Sequence, residues 1–204
     1  MIDDLKNIFG PKCTAINVNG ELSESIDIPS KQLKFCEAVS LSFNRPVRVI
    51  DKNLGCPGAR RSIGFDKDDN LLAQTISENN KIPVQFILNA LKEIPKLKGI
   101  TQINLGMTEE MEKKTKPDLY IIYIKPAMVT AIMHNLAKIG VKPSILPYSL
   151  LSVCGNVFSN CCKNKVPTLS FGCPESRKHG GIGNDEVVLG LPHQHASYLQ
   201  ELFR

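Results

Sequence analysis

Two decapeptides in this chain share one chemical pattern. Gly55–Gly64 (GCPGARRSIG) and Gly172–Gly181 (GCPESRKHGG) both read G-C-P-x-x-R-[R/K]-x-x-G at identical spacing. A Cys-Pro pair suits the start of a helix, because proline is tolerated where no amide donor is needed. The cysteine before it, Cys56 or Cys173, then sits at the N-cap. It faces unbonded backbone N–H groups and the positive end of the helix dipole, an environment that favours thiolate over thiol. Arg60 with Arg61, and Arg177 with Lys178, fall one turn later. They add positive charge that could support the sulfurs or orient an anionic small molecule. Gly64 and Gly181 are placed to end the short helix or to allow close backbone approach.

Each Cys-Pro turn has another cysteine upstream. Cys36 lies 20 residues before Cys56, and Cys154 lies 19 before Cys173. Cys36, Cys56, Cys154 and Cys173 form a four-sulfur set. Held together, it suits an iron–sulfur cluster, whose anionic sulfurs welcome N–H donors. An all-cysteine zinc site is the main competitor, but zinc sites use tight cysteine knuckles, absent at these positions. Metal-free dithiol chemistry at Cys56 or Cys173 is a third reading, weakened by the lack of a C-x-x-C. Cys13, opening an apolar alternation, reads as core. Adjacent Cys161 and Cys162, in the polar run SNCCKNK, have no counterpart in the first half and read first as ordinary packing cysteines, with exposed thiols or auxiliary redox groups as the alternative.

The elements that must position these sulfurs follow from periodicity. Strands are expected at 13–20, 46–50, 118–124, 166–171 and 185–192. Helices are expected at 2–9, at 29–43 with Ser30 as N-cap, after each Cys-Pro turn, at 83–94, at 126–140 with Pro126 near its start and Gly140 as its stop, and at 195–203. The segment 66–80 reads as loop with part of a helix. A helix carrying the first cysteine, then a strand, then the Cys-Pro turn occurs twice. The expected fold class is therefore α/β or α+β. It comprises two similar strand–helix halves, roughly 1–105 and 118–204, related by a pseudo-twofold internal repeat around a shared cysteine site. Together they form one globular domain, with the solvated stretch 106–118 as the boundary between them.

Composition narrows the function. The chain has 204 residues, 42% of them hydrophobic and 22% charged, with a net charge of +5 and seven cysteines. The mild, scattered charge and the absence of tryptophan give no nucleic-acid surface. The N-terminus lacks an apolar signal segment, and Lys125 and Pro126 interrupt the most apolar stretch, so neither a leader nor a membrane span is expected. A cytoplasmic location follows, where cysteines serve metals, clusters or thiol chemistry more than structural disulfides. His134 reads as packing, His179 as a neighbour of the second turn, and His193 and His195 as the start of the last helix. No Walker loop, G-x-S-x-G, H-E-x-x-H or carboxylate pair is present.

Five blocks carry a resemblance: FCEAV (35–39), GCPGARRSIGF (55–65), KPDLYIIYIKP (116–126), GCPESR (172–177) and DEVVLGLP (185–192). In order and content they resemble the family called domain of unknown function 169, found often in anaerobic archaea and bacteria. The resemblance implies iron–sulfur ligation by Cys36, Cys56, Cys154 and Cys173. One block departs, since KCTAINV (12–18) stands where the family has a Pro-Val-Ala-Val-Lys strand. The expected function is a protein binding a [4Fe–4S] cluster. With four ligands it would transfer electrons to a redox partner protein or act as a sensor. With three, an open iron would handle a small anionic or sulfur-bearing substrate. The alternatives are a zinc-stabilised, non-enzymatic binding domain and a metal-free thiol redox protein.

Overall fold

Long apolar runs with little alternation mark strands covered on both faces, and the centre of this molecule is built from two of them. In the computed structural model, which describes residues 10–21, 26, 28–66, 68–146 and 148–202, β1 (Cys13–Val18) pairs antiparallel with β4 (Leu119–Ile124), and β4 is buried along its whole length. They occupy the middle of a seven-stranded sheet of order β2-β3-β1-β4-β7-β6-β5. The other strands are β2 (Val47–Ile50), β3 (Gln102–Met107), β5 (Ser144–Ile145), β6 (Thr168–Ser170) and β7 (Val187–Pro192). All neighbours are antiparallel except β5 and β6. The mixed α/β class holds.

Two buried clusters cover the two faces. One joins Ile16, Ile121 and Val188 to Phe35, Cys36, Ile63, Leu91, Cys154 and Phe158. Its helices are α1 (Phe35–Ser42), α2 (Pro57–Ile63), α3 (Asp69–Asn80), α4 (Val84–Glu93) and a π-helix, Ser152–Ser159, continued by α7 (Asn160–Asn164). The other joins Ala15, Tyr120 and Leu189 to Met111, Ile132, Leu136 and Ala196. There the helices are α5 (Thr108–Lys114), α6 (Pro126–Lys138) and α9 (His193–Leu202). A short α8 (Pro174–His179) packs beside α1.

Several expectations need revision. The first cysteine helix starts at Phe35 with Lys34, not Ser30, at its N-cap. Leu33 is held extended by a parallel bridge to Leu54, with Leu33 N donating to Asn53 O at 2.8 Å and Gly55 N to Leu33 O at 2.9 Å. Residues 69–80 are one helix, capped by Asp68, whose carboxylate accepts from the N–H groups of Asn70 and Leu71. The stretch 106–118 lies between the strands of the two expected halves, β1 to β3 before it and β4 to β7 after it, but all seven strands join one continuous sheet. The stretch holds the end of β3 and then α5, whose chain passes over β1 to reach β4. β3 itself carried no expectation. The helix at 2–9 lies outside the described residues. No helix among the described residues is long and apolar enough to cross a membrane.

Candidate functional site

The two Cys-Pro turns fold as their residues dictate. Cys56 is the N-cap of α2 with Pro57 in its first turn, and Cys173 is the N-cap of α8 with Pro174 likewise. The Cys56 side chain makes no formed cap hydrogen bond, but the nearby N–H groups of Ala59 and Gly58 favour its charged form. At the second turn Cys173 N donates to Ser176 Oγ at 2.8 Å, and the Cys173 thiol reaches the same oxygen at 3.3 Å. Gly64 ends α2 at φ 97°, where a side chain would collide with Leu97 O 2.3 Å away. Only glycine combines that backbone with that contact.

The arginine of the repeated motif explains itself in the fold. Arg60 Nη1 donates to Leu54 O at 3.2 Å, and Arg177 Nη2 donates to Phe171 O at 2.6 Å. Each carbonyl lies two residues before the Cys-Pro cysteine, so each arginine clamps its own turn. Arg60 is further held by Asp51 and Asp66, and Arg177 by the carbonyls of Gly183 and Glu186. Arg61 is buried, bonding Asp69 and the carbonyls of Leu91 and Ile94. These guanidinium groups are committed inside the fold. Lys178, at the motif position of Arg61, is exposed and acts as a positive neighbour of Glu175.

Cys36 and Cys154 approach from two further elements. Cys36 is the second residue of α1, buried, with its sulfur 3.9 Å from Glu175 O of α8. Cys154 is buried in the π-helix, a distortion that favours functional positions. Ser159 Oγ donates to Ser62 O of α2 at 3.0 Å and Ser152 Oγ meets Ser170 Oγ of β6 at 2.8 Å, so the π-helix is pinned on both sides. The four sulfurs lie within each other's electrostatic reach. Burial, then the negative charge of Cys56 and Cys173, pushes the Cys36 thiol up to about 12. Burial and then Cys56, Cys173 and Cys36 push Cys154 well above its ordinary value. Burial raises Cys56 too, outweighing its N–H donors. Without a cation, burial favours the thiol at Cys36, Cys56 and Cys154, which at Cys56 is the reverse of what its helix position alone predicts. Lys34, ion-paired with Glu175, is the nearby cation sensed by Cys36 and Cys56. Nothing in the sequence singled it out except its place two residues before Cys36.

The other candidates separate from this group. Cys13 lies in the cluster of the opposite face, 3.5 Å from Thr108 Oγ1. Cys161 is buried rather than exposed, its thiol 3.3 Å from Val166 O, and Cys162 is half-buried beside the same core. His134 is exposed; His179 lies 3.7 Å from Glu175; His193 opens α9. Among the described residues, no three His, Cys, Asp or Glu side chains are gathered closely enough to hold a metal ion as they stand.

A family model, domain of unknown function 169, described as uncharacterised ArCR, matches residues 14–201. The chain belongs to that family. Both Cys-Pro turns, Cys36, Cys154 and the whole described sheet except Cys13 fall inside the match. No curated protein and no solved structure matches the chain.

Proposed function

We propose that this member of the domain of unknown function 169 family binds a [4Fe–4S] cluster through Cys36, Cys56, Cys154 and Cys173 and transfers electrons with a redox partner protein. The observation that carries the reading is that four cysteines come from four separate elements into one another's electrostatic reach, and that burial and the charge of their neighbours raise the proton affinity of Cys36, Cys56 and Cys154. As thiolates such a set would be costly unless a polycationic centre took the place of the protons. The surroundings fit that centre: sulfur donors, N–H groups at the first turn and Lys34 close by. When bound, the cluster would supply a one-electron redox centre.

Competing readings have less support. A tetrahedral zinc needs its sulfurs about 3.8 Å apart, given Zn–S bonds of about 2.3 Å, and the cysteines are not gathered to hold one ion. Metal-free thiol chemistry needs a thiolate, which burial opposes at Cys36, Cys56 and Cys154. An anionic substrate at an open iron would lack Arg60, Arg61 and Arg177, which bond the protein itself. Cys56 and Cys173 are only half-buried, so the first turns of α2 and α8 form the side from which a partner protein would approach.

We also infer the pseudo-twofold. Mapping β2, β3 and β1 onto β6, β7 and β4 reads the strand order β2-β3-β1-β4-β7-β6 backwards onto itself. Placing Ala15 on its own partner Tyr120 puts Thr14, opposite Met107, onto Leu119, opposite Pro192. Met107 and Pro192 each run directly into a helix.

Oxygen-free purification tests the function. The expected product is brown and carries iron and acid-labile sulfide in about equal amounts. Alanine at Cys36, Cys56, Cys154 or Cys173 is expected to lose iron, while alanine at Cys13, Cys161 or Cys162 keeps it. A colourless protein with one zinc would sink the proposal, and iron retained by any of the first four variants would move it to an open iron.

A further inference from the structure

The strand β4 buries two tyrosines on opposite faces of the sheet, as residues three apart on a strand must. Tyr120 is fully satisfied: its hydroxyl donates to Glu112 at 2.6 Å and lies 3.0 Å from His193 Nδ1. Tyr123 is 2% exposed, and its hydroxyl has no hydrogen-bond partner among the described residues. Leaving such a group unpaired is destabilising, and each case calls for a reason. Its ring packs edge-on against Phe43, which caps the C-terminus of α1, at 5.1 Å and 83°. It belongs to the same buried cluster as Cys36 and Cys154. After burial, the groups that act on it are Cys36, Glu186 and Cys173. Glu186 is already engaged, with Oε2 accepting from Lys12 Nζ and from Gly183 N, each at 2.7 Å.

We propose that the Tyr123 hydroxyl donates a hydrogen bond to a sulfur of the group held by Cys36, Cys56, Cys154 and Cys173, and thereby sets its reduction potential. The inference rests on the iron–sulfur reading and names a residue that reading does not use. A donor to sulfur stabilises the more negative, reduced state, so removing it lowers the potential. A charge-assisted hydrogen bond corresponds to about a tenfold change in the reduction equilibrium, which is about 59 mV for one electron.

The test is a redox titration of Tyr123→Phe, with Phe43→Leu as a control that disturbs the ring packing and leaves the hydroxyl. Tyr123→Phe is expected to keep wild-type iron and sulfide and to titrate about tenfold less favourably, while Phe43→Leu keeps the wild-type potential. An unchanged potential in Tyr123→Phe, or an equal shift in both variants, overturns the inference and leaves the cluster reading intact. A wild-type protein without iron and sulfide overturns both, and is recognised before any variant is made. Should Tyr123→Phe not accumulate, 3,5-difluorotyrosine at position 123, a stronger donor of the same shape, must raise the potential; no rise overturns the inference.

Discussion

Burial, more than residue type, decides what the motif side chains do. Arg61 and Lys178 occupy the same position in the two Cys-Pro motifs, yet one is 4% exposed and the other lies on the surface. Arg61→Ala strands the carbonyls of Leu91 and Ile94 and is expected to cost about 2–4 kcal/mol. Lys178→Ala is expected to stay within about 0.5 kcal/mol of wild type. Urea unfolding of both variants checks this, and equal effects would contradict it. The same site predicts an acid dependence. Burial raises the Asp69 pKa, but the hydrogen bonds and charge of Arg61 and Lys96 outweigh it, and the net shift is downward. A depressed carboxyl contributes stability that is complete above its unfolded value of about 3.9. That contribution disappears as pH falls through the folded value. Part of the acid destabilisation of the wild type should therefore be missing in Arg61→Ala. Parallel slopes of stability against pH below about 4 would rule this out.

Among the elements, the contact between α2 and the π-helix matters most, because it brings Cys56 and Cys154 together. Both surfaces meet at glycine. A Cβ on Gly58 would press on Leu151 at 3.0 Å, and one on Gly155 would meet Ile94 at 2.7 Å, Leu151 at 2.9 Å and Ser62 at 3.0 Å. Gly155→Val is expected to wedge the two apart, costing about 1–3 kcal/mol by overpacking. Thermal unfolding and iron content should fall together. A variant with wild-type melting and full iron would show that the approach is not needed. The repeated cysteine helices were legible as helices, but the π geometry around Cys154 was not. Hydrophobic spacing fixes which face is buried, but it does not report the wider i→i+5 winding of a segment that Ser152 ties to β6 and Ser159 ties to α2.

At the scale of the whole molecule, the central β1–β4 pairing joins a strand near the start of the chain to one beyond residue 118. Neither half of the sheet completes its core without the other, and the solvated stretch 106–118 is a connection between strands of one sheet. Chemical denaturation is therefore expected to give one cooperative transition, coincident by far-ultraviolet circular dichroism and tyrosine fluorescence. Two separated transitions would show the halves to be independent. The alternation of Gln102, Asn104 and Gly106 with Ile103, Leu105 and Met107 across β3 is itself a strand pattern, short enough to pass without an expectation. Asn104 is nonetheless fully buried, held by Arg48 and by Gly20 O.

The sequence alone determined the Cys-Pro turns, the buried central strands, the mixed class and the family. These depend on neighbouring residues and short periodicities, which local sterics and burial convert directly into structure. Only the tertiary structure decided that the motif arginines clamp their own turns, that Cys161 is core, and that burial keeps the helix-terminal Cys56 protonated. It alone decided that the Tyr123 hydroxyl is buried without a hydrogen-bond partner among the described residues. Each of these depends on which distant carbonyl, sulfur or ring arrives beside a side chain, and therefore on how the sheet orders its strands.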